Sequence, residues 1–409
     1  PKALLQKTDT DSNVIDTLDA MSKLERELTE QHMGRGRTRW YLNKGKMLPQ
    51  FNMHTTGKRF RERIQQGKWN TKDKRVIPRA LQGVFRSARA VKNKNGERMS
   101  GIKYGGTFTS EITTVELTQY LSRKKKNTAP GVSGLRIDHI AALSPDMQGV
   151  IHDMLSVVYL TGEGYTAWGE EIVNWIPKEA GNPDVEKRRP LMYYEIMRKM
   201  CVGIRTRRVA QVWKDNGIID EDNYAFLAGL STTEPLMIKK MILEEAKAHN
   251  KRLAMADIDF SKAYDSTERF AKDMSLRRMG FPEEGLDMSQ HYDGKRNMRI
   301  LTAYGLTRGI KPQCGAWGQG AEESPMGWLA FMSWMSEYIS KNTTDAYEYK
   351  INETDSAKLS KIVYADDATY FAKSIAGLQS IVTAVANFAM ATGVIVKPTK
   401  SYWYSNIPG

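Results

Sequence analysis

The pattern of apolar and polar positions changes character twice along the chain. Between residues 14 and 28, Val14, Ile15, Leu18, Met21, Leu24 and Leu28 recur at helical spacing behind Asp11-Ser12-Asn13, which predicts an amphipathic helix with a polar cap, suited to core packing or to a partner. From about Gly34 to Gly106 no period is sustained, and the segment is rich in Gly, Asn and charge. An extended arm with short helices is expected there. From Thr107 onward regular periods return. "TSEITTVELTQYLSR" places Thr and Ser ahead of Glu and then helical spacing, the signature of a capped helix, and "APGVSG" reads as a turn. The apolar run closing at Lys178, a polar turn, and Arg188-Arg189-Pro190-Leu191 predict a hairpin that brings Lys178 near Arg189.

Three further stretches carry the rest of the pattern. Leu253 to Phe260 reads as a strand, followed by a turn and a helix that Asp265 or Ser266 can cap, with Glu268 in its first turn and Gly280 and Pro282 at its end. A glycine-rich loop, Gly315 to Gly320, precedes an apolar helix from about Pro325 to Ile339, whose Met and Trp residues are assigned to the core. Last, in "KIVYADDATYFAKS", two β-prone runs, Ile362 to Tyr364 and Ala368 to Phe371, flank Asp366-Asp367. A hairpin with two carboxylates at its tip is expected.

Composition narrows the class. With 409 residues, 41% of them hydrophobic, the chain has ample core for two or three domains or one multi-lobed body. No apolar run approaches the roughly 20 residues that span a bilayer, so no membrane contact is expected. The N-terminal residues lack the apolar centre of a secretory signal and are too acidic to resemble a mitochondrial transit peptide. The compartment stays open, nucleus or mitochondrion. Two cysteines, Cys201 and Cys314, are too few for a disulfide framework or a four-ligand zinc site, and the six His residues form no HExxH pattern. A reducing compartment without structural metal is the expectation.

The net charge of +14 is unevenly placed. Residues 1–31 hold 4 Lys/Arg against 7 Asp/Glu, residues 32–103 hold 20 against 3, and residues 104–409 hold 37 against 37. The middle segment, at 20 − 3 = +17, therefore carries the basic character. Its cations Arg35, Arg37, Arg39, Lys44, Lys46, Lys58, Arg59, Arg61, Arg63, Lys68, Lys72, Lys74 and Arg75 interleave with Trp40, Tyr41, Phe60 and Trp69. Cations for phosphate and flat rings for unpaired bases point to an RNA-binding arm that orders on its partner, with an acidic protein as the competing partner. The run Lys124, Lys125 and Lys126 adds a second basic patch.

Adjacent carboxylates between apolar strands repel one another and lose hydration, so Asp366 and Asp367 are best accommodated opposite a cation, with a divalent metal the natural one. An ordinary surface turn would also use Asp. Asp259 lies near the end of its strand, and Asp257 shares its parity; pattern does not separate the two. Asp265 already has a structural role as a cap.

In order along the chain, "TAPGVSGLRIDHI", "RRPLMYYEIMRKM", "NYAFLAGLSTTEPLMI", "DFSKAYDS", "GQGAEESP", "YADD" and "TGVIVKPTKS" resemble the fingers and palm motifs of reverse transcriptases, RNA-directed DNA polymerases, of the non-LTR or LINE-like retrotransposon type. The resemblance covers about residues 107 to 403. It implies an α+β fold with fingers and palm, the palm an antiparallel sheet packed with helices, behind the basic arm. Four segments follow: an N-terminal helix over 1–33, the arm over 34–106, a fingers-like region over 107–250 and a palm-like region over 251–409. Because the sequence stops at Gly409, soon after Lys400, the thumb is expected to be absent.

The resemblance also implies roles. Asp259, Asp366 and Asp367 would hold two Mg²⁺ ions, roughly 3.5–4 Å apart in such sites, one activating a primer 3′-hydroxyl and the other neutralising the triphosphate. Tyr264 would block a ribose 2′-hydroxyl, although a core aromatic is an equal reading. Gln319 and Gly320 would approach nucleotide and template, Lys178 and Arg189 the triphosphate, and Lys400 would donate a proton. Two functions fit: a Mg²⁺-dependent RNA-templated DNA polymerase taking an RNA template and a DNA primer, or a non-catalytic RNA-binding part of a ribonucleoprotein with other protein partners, such as an organellar (mitochondrial) ribosome. The +17 of the basic arm and the expected lack of a thumb favour the second; the intact set of acids favours the first.

Overall fold

The computed structural model describes residues 41–42, 46–47, 83–84, 87–88, 92, 96–99, 104–180, 187–220, 222–227, 229–312, 316–352 and 354–407. The helix expected over 14–28 lies outside them, as do all the arm cations named above except Lys46, which falls in a short strand (β2, Lys46–Met47) paired antiparallel with β1 (Tyr41–Leu42).

From residue 104 the elements run in order as α1 (Thr114–Arg123), α2 (Ile137–Ala141), α3 (Pro145–Thr161), β3 (Glu170–Pro177), β4 (Arg188–Tyr194), α4 (Ile196–Asn216), α5 (Thr233–Ala248), β5 (Ala254–Ile258), β6 (Phe260–Ser261), α6 (Ala263–Ser266) and α7 (Arg269–Arg278). The chain continues through α8 (Glu283–Lys295), β7 (Asn297–Thr302), β8 (Gly305–Leu306), α9 (Ser324–Asn342), β9 (Tyr347–Lys350), β10 (Ser356–Leu359), β11 (Lys361–Tyr364), β12 (Asp367–Ala372), α10 (Ile375–Thr392), β13 (Ile395–Val396) and β14 (Tyr402–Ser405). Contacts divide them into two compact units, neither continuous in sequence: Lys92–Gly217 with Gly280–Ser324, and Ile218–Met279 with Pro325–Gly409. Residues 280–324 return to the first unit because β7 pairs in parallel with β3.

In the first unit the sheet order is β4-β3-β7-β8, with β3 and β4 the expected antiparallel hairpin. Helix α1 begins at a capping box: the Glu116 amide donates to Thr113 Oγ1 at 3.2 Å, and the Thr113 amide donates to Glu116 Oε2 at 2.9 Å. Arg208 grips the same carboxylate with Nε and Nη2 at 2.6 and 2.7 Å, which ties α1 to α4. Tyr120, Leu155, Tyr159, Met200 and Cys201 are buried in the helical core around them. Burial pushes the Cys201 thiol up to about 11, so it behaves as an inert apolar side chain.

The second unit is built on an antiparallel sheet in the order β11-β12-β5-β14. Alternation along its strands sends Met255, Ile362 and Phe371 to one face, packed with Ile242 and Ala246 of α5 and with Tyr347. On the unit's helical side, α10 packs on β12 and β5, and Phe388 meets Phe331 and Trp334 of α9 at 5.2 and 5.0 Å. By length and composition α10 could cross a membrane, which the reading of apolar runs did not anticipate, but most of its residues are buried within the protein and it serves as a core helix. It starts at Ser374, whose hydroxyl accepts the Gly377 amide at 3.0 Å, and stops at Gly393 with φ +87°. The mixed α+β architecture with antiparallel sheets is the class expected from the sequence.

Candidate active site

The hairpin of β11 and β12 closes through a two-residue turn, Ala365-Asp366, because Tyr364 pairs with Asp367. Ala365 takes φ +56°, a left-handed conformation that costs a Cβ-bearing residue about 1 kcal/mol or more. Strand β12 pairs with β5 in the register Ala368↔Ile258 and Thr369↔Asp257, so the next facing positions are Asp367 and Asp259. The two acids thus share one end of the sheet, and Asp366 stands at the turn beside them. Their crowding has an electrostatic signature. Burial, and then the negative charges of Asp366, Asp259 and Asp257, hold the Asp367 carboxyl above the usual carboxylate range.

Asp257 and Asp259, which pattern alone left together, are separated by their partners. Lys239 on α5 donates to both Asp257 oxygens at 2.7 and 2.8 Å, and Thr369 Oγ1 donates to one of them at 2.5 Å. With an ammonium and a hydroxyl already on its oxygens, Asp257 is the less available of the two to a metal ion. Asp259 is held through its backbone instead. Its amide donates to Ser401 Oγ at 3.2 Å, and its carbonyl accepts the Lys397 amide at 2.8 Å. That grip seats the segment carrying Lys400, an exposed residue, against the Asp259 backbone.

Tyr264 lies half-buried in α6. Its hydroxyl is pushed up by burial and by the charge of Asp366, which puts the ring near the acidic turn. The helix after Asp259 starts later than expected. Lys262 adopts φ +47°, α6 ends at Ser266, and α7 begins only at Arg269, so neither Asp265 nor Ser266 caps it. Ser266 Oγ instead accepts the Ile395 amide at 3.3 Å, and Glu268 donates its amide to Thr392 O at 3.1 Å. These tertiary bonds break the helix between the two pieces.

Trp328 of α9, assigned by its pattern to the core, is buried but also polar in effect. Its indole Nε1–H donates to the Ala365 carbonyl at 2.8 Å, and its ring meets that of Tyr264 at 5.4 Å between centroids. Trp328, Lys239, Thr369 and Ser401 are the residues of this site that pattern reading missed. Only Ser401 had a local signal, its place directly after Lys400.

Of the other sequence-derived candidates, Lys178, Arg189, Gln319, Gly320 and Lys124 to Lys126 belong to the first unit. Lys178 and Arg189 are exposed near the end of the β3–β4 hairpin; the Lys178 amide donates to Lys187 O at 2.8 Å and Arg189 faces Ile176, which makes the two cations diagonal neighbours. The loop of Gln319 and Gly320 is laid along β4. The Met192 amide donates to Gln319 O at 2.8 Å, and Gly320 takes φ +111° where a Cβ would come within 2.6 Å of Met192 O. Glycine is required at that approach. Lys124 bonds both Glu322 oxygens at 2.6 Å, whereas Lys125 and Lys126 are exposed. Lys124 therefore spends its charge inside the protein.

Among the described residues no group of three or more His, Cys, Asp or Glu side chains is gathered so as to hold a metal ion unaided. The donor chemistry at the hairpin nevertheless suits a hard cation. Three carboxylates crowd one strand end, burial and their mutual repulsion both raise Asp367, and the one nearby ammonium among the hydrogen bonds just described, Lys239, serves Asp257. Mg²⁺ takes one or two carboxylates and draws its other ligands from water and substrate phosphates, so an incomplete protein shell is what it needs.

Comparison with known proteins agrees with this layout. The family described as reverse transcriptase (RNA-dependent DNA polymerase) matches residues 176–407. Among curated relatives, the retrovirus-related Pol polyprotein from type-1 retrotransposable element R2 of Nasonia vitripennis is 25% identical over 235 residues, which is 57% of this chain and 22% of that protein. The chain thus spans less than a quarter of the length of that relative. With more than half of its 409 residues matched, the chain belongs to the reverse transcriptase family, and its likeness to the R2 protein marks it as LINE-like.

Proposed function

We propose that the chain catalyses RNA-templated DNA synthesis with Asp259, Asp366 and Asp367 as the ligands of two Mg²⁺ ions. The observation that carries this reading is the convergence of those carboxylates at one end of paired strands, with Asp367 held protonated to higher pH by burial and then by its neighbours' charge. Bound divalent cations would supply the Lewis acidity that readies a primer 3′-hydroxyl and offsets the charge of the triphosphate and of the departing pyrophosphate. The 3′-hydroxyl gives up its proton to solvent, its oxygen attacks the α-phosphorus, the bond from that phosphorus to the bridging oxygen breaks, and pyrophosphate leaves. The protein's part is mainly to position and to hold charge.

In this reading Lys178 and Arg189 bind the triphosphate, Gln319 and Gly320 line the approach of nucleotide and template, and Tyr264 excludes a ribose 2′-hydroxyl. Lys400 returns a proton to the leaving group. The cations of the arm over 34–106, with Lys125 and Lys126, hold the RNA. The +17 of residues 32–103 also suits RNA retention without chemistry, as in a structural ribonucleoprotein component.

Primer extension on an RNA template with Mg²⁺ and four deoxynucleotides separates the two. Extension by the wild type that Asp366→Asn abolishes is the expected result. Tight RNA retention with no extension from any primer would replace the polymerase reading with the structural one.

A further inference from the structure

The turn that presents Asp366 and Asp367 is held by a side chain far from it in sequence. Ala365, its first residue, sits at φ +56°, and the carbonyl of that same residue accepts the Trp328 indole N–H at 2.8 Å. The indole itself is 1% exposed and fixed on two sides, stacked on Phe331 at 5.1 Å and 29° and tilted against Tyr264 at 5.4 Å and 59°. Among apolar core residues only Trp combines a large ring with a ring donor, so a Phe or Leu at 328 would leave the carbonyl without this bond.

We infer that Trp328 is a positioning residue that locks the Asp366–Asp367 turn and couples it mechanically to Tyr264. This rests on the polymerase reading for its consequence in catalysis. A ribose 2′-hydroxyl pressing on the Tyr264 ring is transmitted through the indole to the backbone that carries Asp366. Discrimination against ribonucleotides then acts on the chemical step as well as on binding. The left-handed turn makes the lock necessary, because a residue held in a costly conformation persists only when its surroundings determine it.

Two replacements test the inference: Trp328→Phe, and 3-benzothienylalanine in place of Trp328, which keeps the bicyclic shape and the filled core and lacks the N–H. Both are expected to lower kcat for deoxynucleotides by about five- to tenfold, the effect of one lost hydrogen bond, with KM within about twofold. Both are also expected to shrink the kcat component of deoxy-over-ribonucleotide discrimination. A role in packing alone would leave the benzothienylalanine protein at wild-type kcat, and that result would overturn the inference. Amide hydrogen exchange across residues 361–372 gives a readout that needs no activity. The lock requires faster exchange at Asp366 and Asp367 in both replacements, with the α10 amides unchanged. Unchanged exchange in the turn refutes it even if the wild type extends no primer, in which case the polymerase reading fails separately.

Discussion

The buried ion pair at the base of the β3–β4 hairpin gives the sharpest energetic expectation. Glu171 is 0% exposed and Arg296 4% exposed, with Arg296 Nε on Oε1 at 2.9 Å and Nη2 on Oε2 at 3.1 Å. Glu171 stands between Tyr194 on β4 and Met298 on β7, so the pair sits in the centre of the first unit's sheet. Burial works against the guanidinium's charge, yet the Glu171 carboxylate outweighs it and holds Arg296 above its ordinary range. Glu171→Gln leaves that cation buried, and arginine does not escape by losing its proton. The expected cost is about 3–5 kcal/mol. Set against a typical domain stability of about 5–15 kcal/mol, this is enough to populate unfolded first unit at 25 °C. Urea unfolding followed by tryptophan fluorescence should show the midpoint falling with an unchanged slope. Glu171→Met combined with Arg296→Met should recover most of the loss, since two apolar side chains leave no orphaned charge. A cost below about 1 kcal/mol for Glu171→Gln would refute the reasoning, because it would mean that water reaches the pair.

Four further outcomes follow from the same geometry. The Arg208 guanidinium, against the smaller opposing effect of burial, holds the Glu116 carboxyl down from 4.5 to about 2. The stability this adds is full above pH 4.5 and is lost as pH falls towards 2, so Glu116→Gln should flatten acid unfolding in that window by about 1 kcal/mol, allowing for solvent screening. Gly320→Ala should raise KM for deoxynucleotides about tenfold by forcing the Gln319 loop off Met192; an unchanged KM would contradict the role given to that approach. Lys239→Met should lower stability by about 1 kcal/mol in urea unfolding, and adding Asp257→Asn should restore it, because the charge left alone is then removed. Deleting residues 34–79 should weaken RNA binding and flatten its dependence on salt in filter-binding titrations; equal affinity would discard the arm as the RNA-binding segment.

What could be read from the residues was whatever is local. The carboxylate hairpin, the capping box at Thr113 and Glu116, and the Arg-Pro-bearing hairpin each announce themselves within a dozen residues, because turn and cap chemistry acts over that range. Strand pattern alone did not separate Asp257 from Asp259, since the ion pair that distinguishes them comes from Lys239, on a helix 18 residues earlier. Trp328 looked like core because its ring is core; only the position of the Ala365 carbonyl reveals the use of its N–H. The late start of α7 has the same origin, a tertiary acceptor, Thr392 O, taking the Glu268 amide that a longer helix would have used. The return of residues 280–324 to the first unit depends on β7 finding β3, a parallel pairing with no local mark.

The central claim is that Asp259, Asp366 and Asp367 share divalent cations. Fe²⁺ put in place of Mg²⁺ and supplied with hydrogen peroxide and ascorbate generates hydroxyl radicals where it is bound, and the peptide cuts map its position. Cleavage beside Asp259 and again at the Asp366-Asp367 turn, suppressed by excess Mg²⁺ and lost in Asp259→Asn, is the expected result. Cuts that Mg²⁺ leaves untouched, or a turn still cleaved in Asp259→Asn, would contradict it.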